Sequence, residues 1–316
     1  MKILYGLSLF LLVSGCGSTI EPSIIRQSVE KISIAPAQRI FLQLEFQDGV
    51  RFLGEYDNDS VGLDSGNMVY PGDAGVAGFL AAILTHAAIS GSVKDNAYSK
   101  VQEEANKVLL PYSKYLQGFK NEELFSSIIG KINDKHKFRI EKYDGSNNEL
   151  SDFVLKSEPI FYMSQDQKEL ILKHAMTIHR VNQPDKIIYK NITEIASNRI
   201  NNDNMFNFWI EQNNLPIISA DLYAESIDLL FFDMKNDFEK HQVQSQKTYR
   251  FMRGGKKSYE RGTFVKSKCG YTVIRTLRGW LKSFPDDANI SPENKQGCNN
   301  NSYVDHKLLV NLSNLQ

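Results

Sequence analysis

Few residues in this chain are spaced for chemistry. Gly254-Gly255-Lys256-Lys257-Ser258 has the ending of a phosphate-binding loop. Arg250 stands where such a loop needs its first glycine, and strand-like runs flank the stretch where a helix should open, so it reads as a hairpin turn. His174 and His179 are five apart. On a strand that spacing sends them to opposite faces, and they do not share a metal ion. His86 stands in an apolar helical run and reads as a core histidine. Cys-x-x-Cys, His-Glu-x-x-His and Gly-x-Ser-x-Gly patterns are absent. Gly72, Gly75 and Gly78 lack the spacing and the following acid of a dinucleotide fingerprint. No spacing forces two carboxylates together. The sequence therefore offers no catalytic residue, no cofactor-binding residue, no cofactor and no metal ligand.

The thiols are more informative. Met1–Cys16 opens with Lys2, runs without charge from Ile3 to Val13, and closes with Val13-Ser14-Gly15-Cys16. A basic start, an apolar stretch of about 11 residues and small residues at the end describe a secretory signal, and the stretch is too short to span a bilayer. The last four residues resemble the lipobox of bacterial prolipoproteins. That resemblance implies that Cys16 is diacylated on sulfur, that the chain is cut before it, and that the new amine is acylated as well. Two or more acyl chains make attachment effectively stable, where one holds only marginally. Gly17 stands where Asp would retain such a protein in the inner membrane of enteric-type bacteria, so the resemblance implies the outer membrane, facing the periplasm. Cys269 and Cys298 remain. An even remainder in an oxidising compartment points to one disulfide between them, with two buried thiols as the alternative.

Charge is distributed unevenly along a neutral chain. Lys247–Lys282 holds eleven Lys or Arg against Glu260 alone, a net +10, with aromatic residues interleaved. Arg275, Arg278, Trp280 and Lys282 are the preferred contact group for an anionic lipid or envelope polymer, because Arg suits forked phosphate contacts and Trp a lipid interface. The bland alternative is neutralisation within the fold. Glu211–Glu239 holds seven acids against Lys235 and lies just upstream. Nucleic acid is a poor partner behind a lipoprotein signal.

The elements that must position these residues follow from periodicity. The chain without its first 15 residues has 301, enough for real cores, and 41% hydrophobic and 23% charged content predicts a folded body. Residues 1–15 are the signal, and 16–30 the lipidated cysteine and a tether. Residues 31–142 hold a strand at Lys31–Ala35, a hairpin and a helical block. The hairpin sets Ile40, Leu42, Leu44 and Phe46 on one face and turns at Asp48-Gly49. The run Gly72–Ser92 reads as a buried helix or a membrane-touching one. Lys94–Phe119 is helical with a kink at Pro111, and Asn121–Asn133 is a second helix. After a polar separator at Tyr143–Ser151, residues 152–316 form a β-rich subdomain. Its strands are Phe153–Met163, Glu169–Val181 and Lys186–Ala196. A helical insertion, Met205–Phe238, breaks at Asn213-Asn214, and a basic meander follows. The fold class is α+β: an N-terminal β-hairpin, a central helical block and a C-terminal, mostly antiparallel sheet.

The expected function is a lipid-anchored protein of the cell envelope. It acts without catalysis in assembly, scaffolding or binding of an anionic component, with a lipid-anchored hydrolase of envelope polymers as the alternative.

Overall fold

A computed structural model describes residues 27–28, 39–44, 49–56, 100–133, 139–143, 152–235 and 245–286. Cys16, Lys31–Ala35, Gly72–Ser92, His86, Cys298 and the chain from 287 onward lie outside the described residues.

The fold is α+β. Among the described residues, eleven strands join one mixed sheet: β1 (Gln27–Ser28), β2 (Arg39–Leu44), β3 (Arg51–Gly54), β4 (Arg139–Lys142), β5 (Phe153–Met163), β6 (Leu170–Arg180), β7 (Gln183–Ala196), β8 (Lys247–Arg253), β9 (Lys256–Lys268), β10 (Tyr271–Thr276) and β11 (Leu281–Pro285). The order across it is β4-β2-β5-β6-β7-β11-β10-β9-β8, with β1 on β7 and β3 on β5. Among the described residues, the helices are α1 (Ser113–Gly118), α2 (Asn121–Asn133) and α3 (Asn214–Lys235), with a further helical turn at 100–105.

The two N-terminal strands form at the expected residues, but their partner differs. Both run parallel to β5, end to end along its edge. β2 pairs with Phe153–Ser157 and β3 with Ile160–Met163. Pro159 stands in the gap between them, where its missing N–H leaves no ladder bond to lose. Arg39 fixes the start of this arrangement: its backbone N–H and its guanidinium both donate to buried Asp152. β3 ends against the helical block. A Cβ on Gly54 would lie 1.9 Å from the carbonyl oxygen of Ala105. Asn106 accepts the Gly54 N–H at 2.8 Å, and Gln102 donates to its carbonyl at 2.9 Å. The separator at Tyr143–Ser151 does not divide the sheet, because β2 and β3 on one side of it pair with β5 on the other, and β4 pairs with β2.

Pro111 has the expected effect. The helical turn 100–105 tightens over Asn106–Tyr112, where proline lacks an N–H and crowds the preceding turn, and α1 resumes beyond it. The helical insertion divides where predicted. A wide turn at Asn207–Glu211 ends at Asn213, which adopts a left-handed φ of +54°, and α3 follows.

The main core lies between α3 and one face of β5, β6 and β7. Leu170, Leu172, Met176 and Ile178 alternate inward from β6 as predicted and meet Leu222, Ile227 and Leu230 of α3. α3 is buried nearly all round, since α2 packs on it as well. Each fully buried Leu or Ile contributes about 1.5–3 kcal/mol to the fold. A smaller core forms on the opposite face of the sheet's far end, where β8 to β11 curl. Phe251 stacks on Phe284 at 4.3 Å, beside Ile274 and Tyr249. β4 and β11 are too short for periodicity to announce. β11 runs parallel to β7 and joins the curl to the rest of the sheet.

Candidate functional site

The Gly254-Gly255 pair is the tip of the β8–β9 hairpin, with Arg253 opposite Lys256. Their φ values of +53° and +82° fit the type I′ turn that two glycines favour. The tip docks across the curled sheet. Arg253 lies on the inward face of β8, two residues from Phe251, and its guanidinium forks between Glu55 and Glu194. The Gly254 N–H donates to Glu169 at 2.7 Å. Lys282 reaches Glu194 at 3.1 Å and Glu260 at 2.9 Å. Lys173 approaches Glu194 at 4.0 Å and lies 4.7 Å over the Tyr162 ring.

Burial acts on Glu194 and Glu169 with opposite outcomes. It pushes the Glu194 carboxyl up, but Arg253, Lys282 and Lys173 outweigh it and hold that carboxylate well below the usual range. Glu169 goes the other way. Burial pushes it up to about 7, against the Gly254 N–H and Arg253, which pull it down. One Glu169 oxygen has no hydrogen-bond partner, which costs a neutral acid less than a carboxylate. The β5–β6 turn beneath the tip is itself braced. Ser164 donates to Asp166 at 2.7 Å, the Trp209 indole to the Gln167 carbonyl at 2.7 Å, and Tyr112 to the Gln167 side chain. Chemically the cluster is an ionic latch: its cations and carboxylates hold one another and close the curl.

A second constellation lies under α3. His174 Nε2 is 2.6 Å from Ser157 Oγ, and Nδ1 is 2.6 Å from Ser226 Oγ. Ser226 donates to the Tyr223 carbonyl, and the Tyr223 hydroxyl bonds Ser157. One assignment satisfies every proton: Tyr223 to Ser157, Ser157 to Nε2, Nδ1 to Ser226, and Ser226 to the carbonyl. Burial keeps the imidazole neutral, its pKa near 3. A hydroxyl beside an imidazole is the start of a nucleophile–base pair. Here Ser157, His174, Tyr223 and Ser226 are all 0% exposed, and the outer nitrogen meets a hydroxyl in place of an orienting carboxylate. The network packs the core and offers no face to a substrate. His179 lies on the other side of β6, as the spacing requires. Among the described residues no group of three or more His, Cys, Asp or Glu is placed to hold a metal ion.

The expected contact group does not share one face. Lys282 pairs with Ile274, and Arg275 is the next residue along, so β alternation sends Arg275 and Lys282 to opposite sides of the sheet. Arg275 donates to buried Asp233 of α3, alongside Tyr189 and Asn191, and to the Gly279 carbonyl. Lys282 belongs to the latch. Arg278 and Trp280 are half-buried. The acidic stretch thus neutralises part of the basic one, while Lys257 and Arg261 of β9 point outward and are exposed.

Compared with protein-family models, curated proteins and solved structures, the chain matches none of them.

In the sequence Arg253 is one of eleven basic residues of Lys247–Lys282, and no spacing ties it to Glu55, Glu169 or Glu194. The signal was present in Tyr249, Phe251 and Arg253: an arginine that continues an apolar alternation up to a Gly-Gly turn shares the inward face. Cys269 occupies the turn between β9 and β10 at φ +56°.

Proposed function

We propose that the chain is a lipid-anchored protein of the cell envelope, held through Cys16 at the outer membrane and facing the periplasm. Its body works by binding or scaffolding an anionic envelope component, without catalysis. The observation that carries this reading is Val13-Ser14-Gly15-Cys16 at the end of a short apolar segment. The geometry of the body supports the second half. Among the described residues, two polar clusters close on themselves as a latch and a core network, while cations of β9 point outward. No helix among the described residues is long and apolar enough to cross a membrane, and attachment through acyl chains needs none. The test is metabolic labelling with a radioactive fatty acid followed by fractionation. The wild type takes up label and sediments with membranes. Cys16→Ala takes up none and stays uncut or leaves the membrane fraction. An unlabelled wild type overturns the reading.

A further inference from the structure

We infer that the outward face of the β8–β9 ribbon is a contact surface for anionic phospholipid headgroups, and that it orients the body on the bilayer to which Cys16 ties it. This rests on the lipid-anchored reading and deepens it. The register defines the face. Thr248 stands opposite Arg261, Arg250 opposite Tyr259, and Met252 opposite Lys257. These six residues point away from the side that carries Tyr249, Phe251, Arg253 and Glu260. No carboxylate stands among the six. The one acid of the ribbon, Glu260, faces inward and is held by Lys282.

The ribbon also stands clear of its neighbour. β8 pairs with Lys256–Gly262 of β9, whereas β10 pairs with Gly262–Lys268, so the Lys256–Arg261 half is two strands wide. Its inner side is locked by the latch, and five of its six outer residues, all but Met252, are exposed. Arg250, Lys257 and Arg261 are exposed, and Tyr259 is 64% exposed. Lys257 and Arg261 make no ion pair among the described residues.

The chemistry selects the partner. Three cations within a few residues match a layer of phosphates, and an exposed tyrosine among them suits the headgroup region, where an aromatic ring buries its body and keeps its hydroxyl wet. A soluble polyanion would be met by the cations but gives the ring no apolar layer to enter. The lipid on Cys16 holds the chain at such a surface already, so the face need only select an orientation.

The test uses the lipidated mature chain, reconstituted into vesicles of phosphatidylcholine alone or of phosphatidylcholine mixed with phosphatidylglycerol. A membrane-impermeant amine reagent is applied, and modification of each lysine is followed by mass spectrometry. Lys107, exposed on the helical block, is the reference. Lys257 should react about fivefold more slowly on the anionic vesicles than on the neutral ones, with Lys107 unchanged and high salt removing the difference. Tyr259→Ser with Arg261→Gln, two surface changes that leave core and latch intact, should remove most of the protection. If the chain floats with both vesicle types and Lys257 reacts equally on each, the inference falls and the anchor stands. If it floats only with anionic vesicles and Lys257 is protected there, the anchor falls with the orienting role built on it, and the headgroup contact alone stands. If it floats with neither, both fall. Protection of Lys257 on neutral vesicles by added lipopolysaccharide, without protection by phosphatidylglycerol, assigns the face to a polymer and overturns the lipid partner.

Discussion

Arg253 and Glu194 lie 59 residues apart in the chain and on strands four places apart in the sheet, and their side chains form an ion pair. That contact is possible only because β8 to β11 curl over, and it holds the curl closed. Arg253→Met leaves two carboxylates at the tip without their fork. Breaking a buried pair from one side costs about 3–5 kcal/mol. Urea unfolding at neutral pH should register a loss of that size. Arg253→Lys should recover only part of it, since an ammonium does not fork. A loss below about 1 kcal/mol for Arg253→Met would remove the latch from the list of things that stabilise this fold.

Glu169 gives the latch a pH dependence of definite sign. Its folded pKa is near 7, above the ordinary 4.5, so the folded chain holds this proton more tightly than the unfolded chain. The resulting stability is full below 4.5 and is lost as pH rises through 7. Glu169→Gln keeps an acceptor for the Gly254 N–H and cannot ionise. Relative to this variant, the wild type should lose stability between pH 5 and pH 8 in urea midpoints. A wild type that gains on the variant over that range would mean that Glu169 is charged in the fold.

Ser157 links His174 to Tyr223 inside the core. Ser157→Ala leaves an imidazole nitrogen and a phenol without partners at full burial, which costs about 1–3 kcal/mol. Denaturant unfolding should show that loss, while membrane fractionation stays unchanged. Loss of an envelope phenotype at unchanged stability would revive the hydrolase reading.

How much of this was legible in the sequence depended on range. Phe153–Met163 and Asn121–Asn133 have in the structure the bounds their patterns predicted, because period and turn chemistry act over a few residues. The Gly254-Gly255 turn and the break at Asn213 were legible for the same reason. The pairing of β2 and β3 was not. An alternating run states which face is buried but not which strand lies beside it, and β5 supplied the neighbour. The contact group failed on alternation across a turn: Arg275 and Lys282 are close in sequence and lie on opposite faces. The latch was hidden because its carboxylates, Glu55, Glu169 and Glu194, come from three distant segments.

Cys269 and Cys298 are proposed to be bridged. The link would close a loop of about 30 residues and stabilise the fold by roughly 3–4 kcal/mol on the chain-entropy model. Peptide mapping of unreduced protein taken from the envelope should find the two joined. Two alkylatable thiols there would exclude the bridge.

The mature N-terminus tests the central claim most directly. Mass spectrometry of the protein extracted from membranes should find a chain that begins at Cys16 and carries a diacylglyceryl group on its sulfur, with a further acyl chain on the amine. A chain that retains residues 1–15, or begins elsewhere with Cys16 unmodified, would contradict the lipid anchor and the membrane role built on it.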